Sequence, residues 1–226
     1  GHWTSAERRQ DTDYGKDHRE NKVSECFNRR IVLDSIDYYN KYAAKVFEET
    51  VDQDMGKVIK KFLEQLEEGD TILDLGCGSG RDSLTFYELG YDVTPMDAAE
   101  EMCKLAEIHT GLEVLCLSFE DMEFDKVFDG IWACASLIHV PKVEMPDILK
   151  KIARALNDKG ILYMSFKLGD FEGFRGERYF SDYTEDSIRE MMAESGRFDV
   201  ISTWVTTDVR SGHSDTKWVN VLGRKR

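Results

Sequence analysis

A glycine-rich segment, Thr-Ile-Leu-Asp-Leu-Gly-Cys-Gly-Ser-Gly, has the residue types and spacing to hold a polar ligand. Gly76, Gly78 and Gly80 alternate directly after an apolar run, and residues without a Cβ let the backbone turn sharply and approach a ligand closely. Asp74 lies within the run and can anchor the polar end of that ligand. A second apolar run ends at Asp97, a spacing typical of the acid that binds ribose hydroxyls. The pattern predicts a site for a nucleoside cofactor.

The flanking sequence predicts a sheet whose edge would position this segment. Apolar runs alternate with helical periodicity, which is typical of a parallel sheet with crossover helices. The expected strands are 71–75, 92–96, 113–117, 128–133 and 160–167. Apolar residues at helical spacing predict a helix from about 145 to 156 with a stop at Gly160, and a further helix is expected near 185–194. Two β-rich runs, 198–209 and 217–223, predict an antiparallel hairpin at the sheet edge.

The motifs resemble, in order, those of class I S-adenosylmethionine-dependent methyltransferases. Residues 73–80 resemble the family's glycine-rich first motif, and residues 93–97 resemble the strand whose terminal acid holds the ribose. Residues 128–140 resemble the fourth-strand motif, in which a histidine often follows the strand. The resemblance covers about residues 38–224 and is closest to small single-domain enzymes of the tellurite-resistance and ubiquinone-biosynthesis type. It implies an α/β fold with a Rossmann-like, doubly wound sheet of seven strands, mostly parallel with an antiparallel C-terminal strand.

The resemblance also implies the cofactor S-adenosylmethionine, the product S-adenosylhomocysteine and a set of cofactor-binding residues. That set is Tyr39, Asp74, Gly76, Gly78, Gly80, Arg81, Asp97, Ala98, Met102, Ser118, Phe119, Glu120, Cys134 and Ala135. Several have a structural alternative: Arg81 as a solvent-exposed first-turn residue and Asp97 as the cap of the next helix. Met102 and Phe119 are equally typical of plain core. Ser118 departs from the family, which commonly has an aspartate beside the adenine amine.

Methyl transfer from a sulfonium is an in-line displacement on an activated carbon, so the protein mainly aligns the reactants and excludes water. His139 is the candidate general base, because near-neutral titration suits removal of a proton from an acceptor hydroxyl or amine. Its alternative is a structural turn histidine before Pro141. Cys134 as a nucleophile is disfavoured, since no histidine is locally arranged to activate it.

An aromatic segment at residues 37–43 resembles an N-terminal helix that folds over the cofactor as a lid in related small-molecule methyltransferases. Tyr39 is the expected contact there, with core packing as the alternative. A second aromatic segment, residues 168–183, is expected to be an acceptor-loop insertion. Its candidate substrate-binding residues are Phe171, Arg175, Arg178 and Tyr179.

Two arginines of that insertion have opposing interpretations. Arg175 and Arg178 could bind an anionic acceptor through charge-assisted hydrogen bonds. Alternatively, they pair with Glu172 and Glu177 in a local salt network of little functional meaning.

Length and composition bound the remaining possibilities. The 226 residues fit one domain, expected over 31–226, preceded by a polar and mobile arm over 1–30. A net charge of −14 disfavours nucleic acid as a partner, because it repels phosphate backbones. The five cysteines form no CxxC or Cys/His cluster, so no metal site and a reducing, cytoplasmic location are expected. Neither a signal-peptide h-region nor a membrane-spanning apolar run is recognisable, so no membrane partner is expected.

The leading hypothesis is an enzyme that methylates an O, N or S atom of a small-molecule acceptor, as a monomer or homodimer. The alternative enzyme is an NAD(P)-dependent Rossmann oxidoreductase, disfavoured because Arg81 stands where a third small residue would be needed. A non-catalytic S-adenosylmethionine-binding module is a third class, and an RNA methyltransferase remains within the first. The sequence specifies neither the acceptor nor its reactive atom.

Overall fold

A computed structural model describes residues 29–226, so the predicted arm over 1–30 lies almost entirely outside the described residues. The strands are β1 (Thr71–Leu75), β2 (Asp92–Asp97), β3 (Leu115–Cys116), β4 (Phe128–Ala133), β5 (Leu156–Lys167), β6 (Glu172–Arg175), β7 (Arg178–Ser181), β8 (Phe198–Thr207) and β9 (Lys217–Lys225). The helices are α1 (helical over 29–41), α2 (Ala43–Thr50), α3 (Gly56–Leu63), α4 (Arg81–Glu88), α5 (Glu100–Thr110), α6 (Met145–Ala155) and α7 (Glu185–Ser195). A 3₁₀ turn covers Leu137–His139. None of these helices combines the length and the apolarity needed to cross a membrane.

Seven strands form one sheet in the order β3-β2-β1-β4-β5-β9-β8. The first five are parallel, whereas β9 runs antiparallel to both β5 and β8. This confirms the predicted seven-stranded sheet with an antiparallel C-terminal strand. Strand order reverses between β1 and β4, and ligands of open α/β sheets bind at the carboxyl ends of strands beside such a switch point.

The central strands β1 and β4 are mostly apolar, with Asp74 and Asp129 as the charged exceptions, because helices cover both faces of the sheet. On β4, Ile131 and Ala133 belong to the core beneath α6 and α7, while Trp132 points to the opposite face beneath α3. There the Trp132 ring stacks on Tyr163 of β5, with ring centroids 4.0 Å apart. Two packed cores therefore hold the carboxyl ends of β1 and β4 in fixed positions.

Three elements differ from their predicted form. Strand β5 begins at Leu156 rather than at residue 160, because buried Leu156 pairs with Phe128 before the register shifts. Gly160 is therefore a strand residue, and α6 ends before it. Strand β3 pairs over two residues only. The segment 168–183 contains the hairpin β6–β7, whose pairing closes at Arg175 and Arg178.

Candidate functional site

A cavity of about 720 Å³ opens at the carboxyl edge of the sheet, where the strand order reverses. Its walls come from the glycine loop after β1, the end of β2, and the segments after β3 and β4. Residues of α1, of the segment between α2 and α3, and of the β8–β9 hairpin complete it. Both its volume and its position are typical of a small-molecule site in an α/β protein.

The glycine loop after β1 forms one wall of this cavity. Gly76 has φ +78°, and a Cβ there would lie 2.4 Å from the Cβ of Ser136, so no side chain fits. Gly78 has φ +55°, and a Cβ built on it meets no atom within 4 Å. Since Gly78 also lines the cavity, a side chain there would occupy ligand space. Gly80 does not line the cavity; it lets α4 pack against Ala106 and Thr110.

The carboxylate of Asp97 ties the glycine loop to the start of α5. One oxygen accepts a hydrogen bond from the Gly78 amide at 2.9 Å, and the other accepts from the Ala99 amide at 3.0 Å. Burial raises the pKa of Asp97, although these backbone donors act in the opposite direction. Asp97 does not cap α5, because it accepts from the amide of Ala99, the residue before the helix, and α5 has no side-chain cap. Asp97 also lines the cavity.

Asp74 lies in a buried acidic cluster beneath the start of α4. Its Oδ2 accepts a hydrogen bond from Ser83 Oγ at 2.5 Å. Neighbouring Asp82 is held by both arms of Arg81, at 2.7 and 2.9 Å, and by Trp132 Nε1 at 2.8 Å. Burial, together with the negative charge of Asp82, raises the pKa of Asp74 to about 8. A cation placed against Asp74 would favour its ionised form, so this wall is suited to a cationic group.

His139 is buried at the opposite wall, in the 3₁₀ turn after β4. Its Nδ1 lies 2.6 Å from the carbonyl oxygen of Tyr179, so Nδ1 carries the proton and donates it. Nε2 therefore keeps its lone pair and accepts from Tyr39 Oη at 2.9 Å. Burial and the nearby charges of Arg178 and Lys167 lower the pKa of His139 to about 4. The imidazole is neutral near pH 7, and its acceptor nitrogen is bound by Tyr39, which lines the cavity together with His139.

A model of the methyltransferase domain family matches residues 72–160, which include the glycine loop, the end of β2 and all of β4. The matched segment, residues 72–160, is similar to a methyltransferase domain. The putative methyltransferase YqeM of Bacillus subtilis is 31% identical over 138 residues, covering 56% of this chain and 55% of its own length. The ubiquinone biosynthesis O-methyltransferase of Xanthomonas oryzae pv. oryzae is 35% identical over 105 residues, 43% of either chain. The chain thus spans about half the length of the curated relatives it matches.

A solved structure extends the similarity beyond the matched domain. The 1,6-didemethyltoxoflavin-N1-methyltransferase of Burkholderia thailandensis, solved with 1,6-didemethyltoxoflavin and S-adenosylhomocysteine, superposes with a TM-score of 0.73. It is 19% identical, and the alignment covers 88% of this chain and 90% of that one. At this identity the comparison shows that the two proteins share a fold.

The cavity brings together most of the residues predicted to bind the cofactor. Those lining it are Tyr39, Asp74, Gly76, Gly78, Arg81, Asp97, Ala98, Ser118, Phe119, Glu120, Cys134 and Ala135. Met102 does not line it, because that side chain is buried among Ala43 and Ala99 in the core that joins α2 to α5. Arg81 is not the solvent-exposed residue of the alternative interpretation, since its side chain is 18% exposed and forks onto Asp82.

The polar groups beyond β3 and β4 take definite positions in the matched segment. Ser118 lines the cavity, and its Oγ already donates a hydrogen bond to Asp121 at 2.8 Å. Burial raises the pKa of the Cys134 thiol to about 12, which keeps it protonated and unsuited to nucleophilic attack. Ser35 and Ser136, which both line the cavity, have buried hydroxyls without a hydrogen-bond partner among the described residues.

The four predicted substrate residues separate into two groups. Arg178 lines the cavity, whereas Phe171, Arg175 and Tyr179 do not. Arg175 donates to both oxygens of Asp182, at 2.9 and 2.5 Å. Tyr179 contributes its carbonyl to His139 rather than its ring.

The alternative interpretation, the pairing of Arg175 and Arg178 with Glu172 and Glu177, is not found in the structure. Glu177 binds Lys41 at 3.2 Å and the Tyr42 hydroxyl at 3.0 Å, and Glu172 accepts from the Lys142 amide at 2.8 Å. Hairpin pairing directs these carboxylates away from both arginines.

Sequence reasoning missed part of the wall, namely the end of β5 and the β8–β9 hairpin. Lys167, Trp218 and Asn220 line the cavity there, because Lys167 pairs with Trp218 across β5 and β9. Asn220 is buried and hydrogen-bonds the Tyr163 hydroxyl at 2.7 Å. A usable signal was present, since a lysine that ends an apolar strand and an asparagine within one are both unusual in a core.

Proposed function

We propose that this protein transfers the methyl group of S-adenosylmethionine to an O, N or S atom of a small-molecule acceptor. The observation that carries the proposal is the alignment of Asp74, Gly78 and Asp97 along one wall of the cavity, at the switch point of a segment similar to a methyltransferase domain. The relatives that align with this domain carry methyltransferase names, and their other halves do not align with this chain.

The residues present fit S-adenosylmethionine, which carries an ammonium and a sulfonium. Asp74 would hold the amino group, because an ammonium beside this buried acid offsets the burial that raises its pKa. Asp97 would accept hydrogen bonds from the ribose hydroxyls, and Phe119 would contact the adenine. Two features leave room for such a ligand: Gly78 borders open space, and the buried Ser136 hydroxyl has no partner within residues 29–226.

The cofactor supplies an activated methyl group, so the chain's own residues align the acceptor, exclude water and manage one proton. His139 Nε2 is the proposed proton acceptor, since Nδ1 is fixed by the Tyr179 carbonyl and Nε2 is bound only by the hydroxyl of Tyr39, which also lines the cavity and which the acceptor would displace. A base with a pKa of about 4 cannot ionise a hydroxyl in advance. The proton therefore moves to Nε2 as the acceptor atom takes the methyl group and becomes acidic.

The charges of the cavity also weigh against the oxidoreductase alternative. A dinucleotide would place a pyrophosphate at the glycine loop, close to Asp74 and Asp97. Arg81, the cation that directly follows the glycine loop, already donates two hydrogen bonds to the carboxylate of Asp82. A cationic cofactor fits this arrangement better than an anionic one.

The test is calorimetric titration of the purified protein with S-adenosylmethionine, S-adenosylhomocysteine and NADH. We expect micromolar binding of the first two, lost in Asp97→Ala and retained in Asp92→Ala. Asp92 is the matched control because it is an exposed aspartate at the opposite end of the same strand. Melting curves check that both variants stay folded. Binding of NADH alone, or of none of the three ligands, would overturn the proposal.

Enzymatic turnover separates an enzyme from a non-catalytic binding module. With hydroxy, amino and thiol acceptors supplied in turn, we expect formation of S-adenosylhomocysteine that depends on one acceptor class. His139→Ala should abolish most of this turnover without changing cofactor affinity. Tight cofactor binding with no turnover on any class of acceptor would favour the binding module.

A further inference from the structure

Three cations that line the cavity have no carboxylate partner among the described residues: Lys57 on α3, and the pair Lys167 and Arg178. Lys167 ends β5 and Arg178 begins β7, and both line the cavity. Within residues 29–226 neither forms an ion pair, although the chain has 44 acidic and 30 basic residues. Lys57 is exposed to solvent, whereas Lys167 and Arg178 are half-buried, and a partly buried cation without a partner is costly unless a ligand pairs with it.

Both half-buried cations contact the ring of Phe180. Lys167 Nζ lies 4.5 Å from the centroid of this buried ring, and Arg178 Cζ lies 5.1 Å from it. Arg178 also contacts the ring of Tyr38 at 4.3 Å and donates to Tyr39 Oη at 3.3 Å. Aromatic faces stabilise a cation without neutralising it, so both charges remain available to an anion.

The acids of the surrounding elements are engaged elsewhere. Asp182 holds Arg175, and Glu177 binds Lys41 and Tyr42 on the outer side of the hairpin. Asp208, across the cavity, is bound by Arg210 at 2.7 Å. Burial lowers the pKa of the Lys167 ammonium, and the charges of Arg175 and Arg178 lower it further. These neighbours therefore leave an excess of positive charge at Lys167 and Arg178.

We infer that Lys167 and Arg178 bind an anionic group, a carboxylate or a phosphate, of the methyl acceptor. Charge-assisted hydrogen bonds to such a group are about twice as strong as neutral ones, and this site is partly shielded from water. The inference rests on the proposed function and adds the chemical class of the substrate.

The same geometry orients the acceptor. Arg178 reaches the Tyr39 hydroxyl, and that hydroxyl hydrogen-bonds His139 Nε2. An acceptor whose anionic group lies between the two cations would present its neighbouring atoms to His139. The methyl-accepting hydroxyl or amine is therefore on the part of the acceptor that extends from the anion towards this imidazole.

The experiment measures the affinity of benzoate and of inorganic phosphate for the wild-type protein, with benzamide as the uncharged counterpart of benzoate. Each probe is titrated by calorimetry with and without saturating S-adenosylhomocysteine. We expect benzoate to bind at least about tenfold more tightly than benzamide, because only the carboxylate can use both cations. Lys167→Met should remove this preference, and Lys167→Arg should retain most of it.

Lys142→Met is the matched control. The Lys142 ammonium also lies over an aromatic ring, 4.9 Å from the centroid of Tyr183, yet it does not line the cavity. Its loss should leave benzoate affinity unchanged, and melting curves confirm folding of all three variants. The inference is overturned if benzoate and benzamide bind equally, if benzoate and phosphate both fail to bind, or if Lys167→Met keeps the preference. Failure of S-adenosylhomocysteine to bind would overturn the proposed function, while the titrations without it still test the two cations.

Discussion

Cofactor affinity should be linked to the protonation of Asp74. Its pKa of about 8 means that about nine tenths of this carboxyl is protonated at pH 7. A bound ammonium stabilises the ionised form, so binding should release about 0.9 proton at that pH. The binding constant should then rise about tenfold per pH unit from pH 5 to 7, a range in which an α-amino group stays protonated.

The assay is calorimetric titration with S-adenosylmethionine at pH 7 in two buffers whose ionisation enthalpies differ. The difference between the observed enthalpies gives the number of protons released. Asp74→Asn, which keeps the shape and removes the titration, should release almost none. It should also bind the cofactor roughly 10-fold to 100-fold more weakly, because a hydrogen bond to a charged group is worth about 1.5–3 kcal/mol.

A release below about 0.2 proton in the wild type, or equal release in Asp74→Asn, would refute this account. The pH dependence of the free energy of unfolding provides an independent check that folding raises the pKa of Asp74. A carboxyl whose pKa is raised on folding binds more protons in the folded than in the unfolded chain between about pH 4 and pH 8. The free energy of unfolding should therefore fall as pH rises through this window, and Asp74→Asn should remove that part of the decline.

Three further predictions concern packing and catalysis. Gly76→Ala should lower the free energy of unfolding by about 1–3 kcal/mol more than Gly69→Ala, as judged by urea denaturation. Both glycines have positive φ, but only at Gly76 would the added methyl group lie 2.4 Å from a neighbouring carbon; equal losses would contradict the packing argument. His139→Ala should reduce turnover by about 10²–10⁴ with cofactor affinity unchanged, whereas a parallel loss of affinity would indicate a structural role. Trp132→Phe should cost about 1–3 kcal/mol of unfolding free energy, because it removes a 2.8 Å donor from buried Asp82, and urea curves that overlay the wild type would count against this.

The sheet and its glycine loop were predictable because their signals are local. Strands β1 and β4 have the bounds predicted for them, since both faces of a central parallel strand are covered and most of its residues are apolar. The loop and Asp97 follow strands whose carboxyl ends must share one edge. Their meeting in one cavity therefore follows from strand order alone.

The features that the sequence did not predict depend on contacts between residues that are distant in the sequence. Leu156 extends β5 because Phe128 lies beside it, and the sequence near Leu156 does not indicate that pairing. Arg175 binds Asp182 rather than Glu172 or Glu177, although both glutamates are closer to it in the sequence. The fold of the hairpin and its flanking residues decides which side chains meet. Lys167 and Trp218 face the same cavity only because β9 inserts between β5 and β8.

The hydrogen bond from His139 to the Tyr179 carbonyl bears on how the proposed methyltransferase could change its acceptor. Every residue has a backbone carbonyl, so the orientation of the imidazole does not depend on which side chain occupies position 179. On either side of Tyr179, Arg178 lines the cavity and Phe180 packs against the imidazole ring of His139. Substitutions at position 178 can therefore alter which acceptor is bound while the base keeps its tautomer. Loss of the positive charge at position 178 would also raise the pKa of His139, so under the proposed function a neutral residue there would alter the basicity of the imidazole but not its orientation.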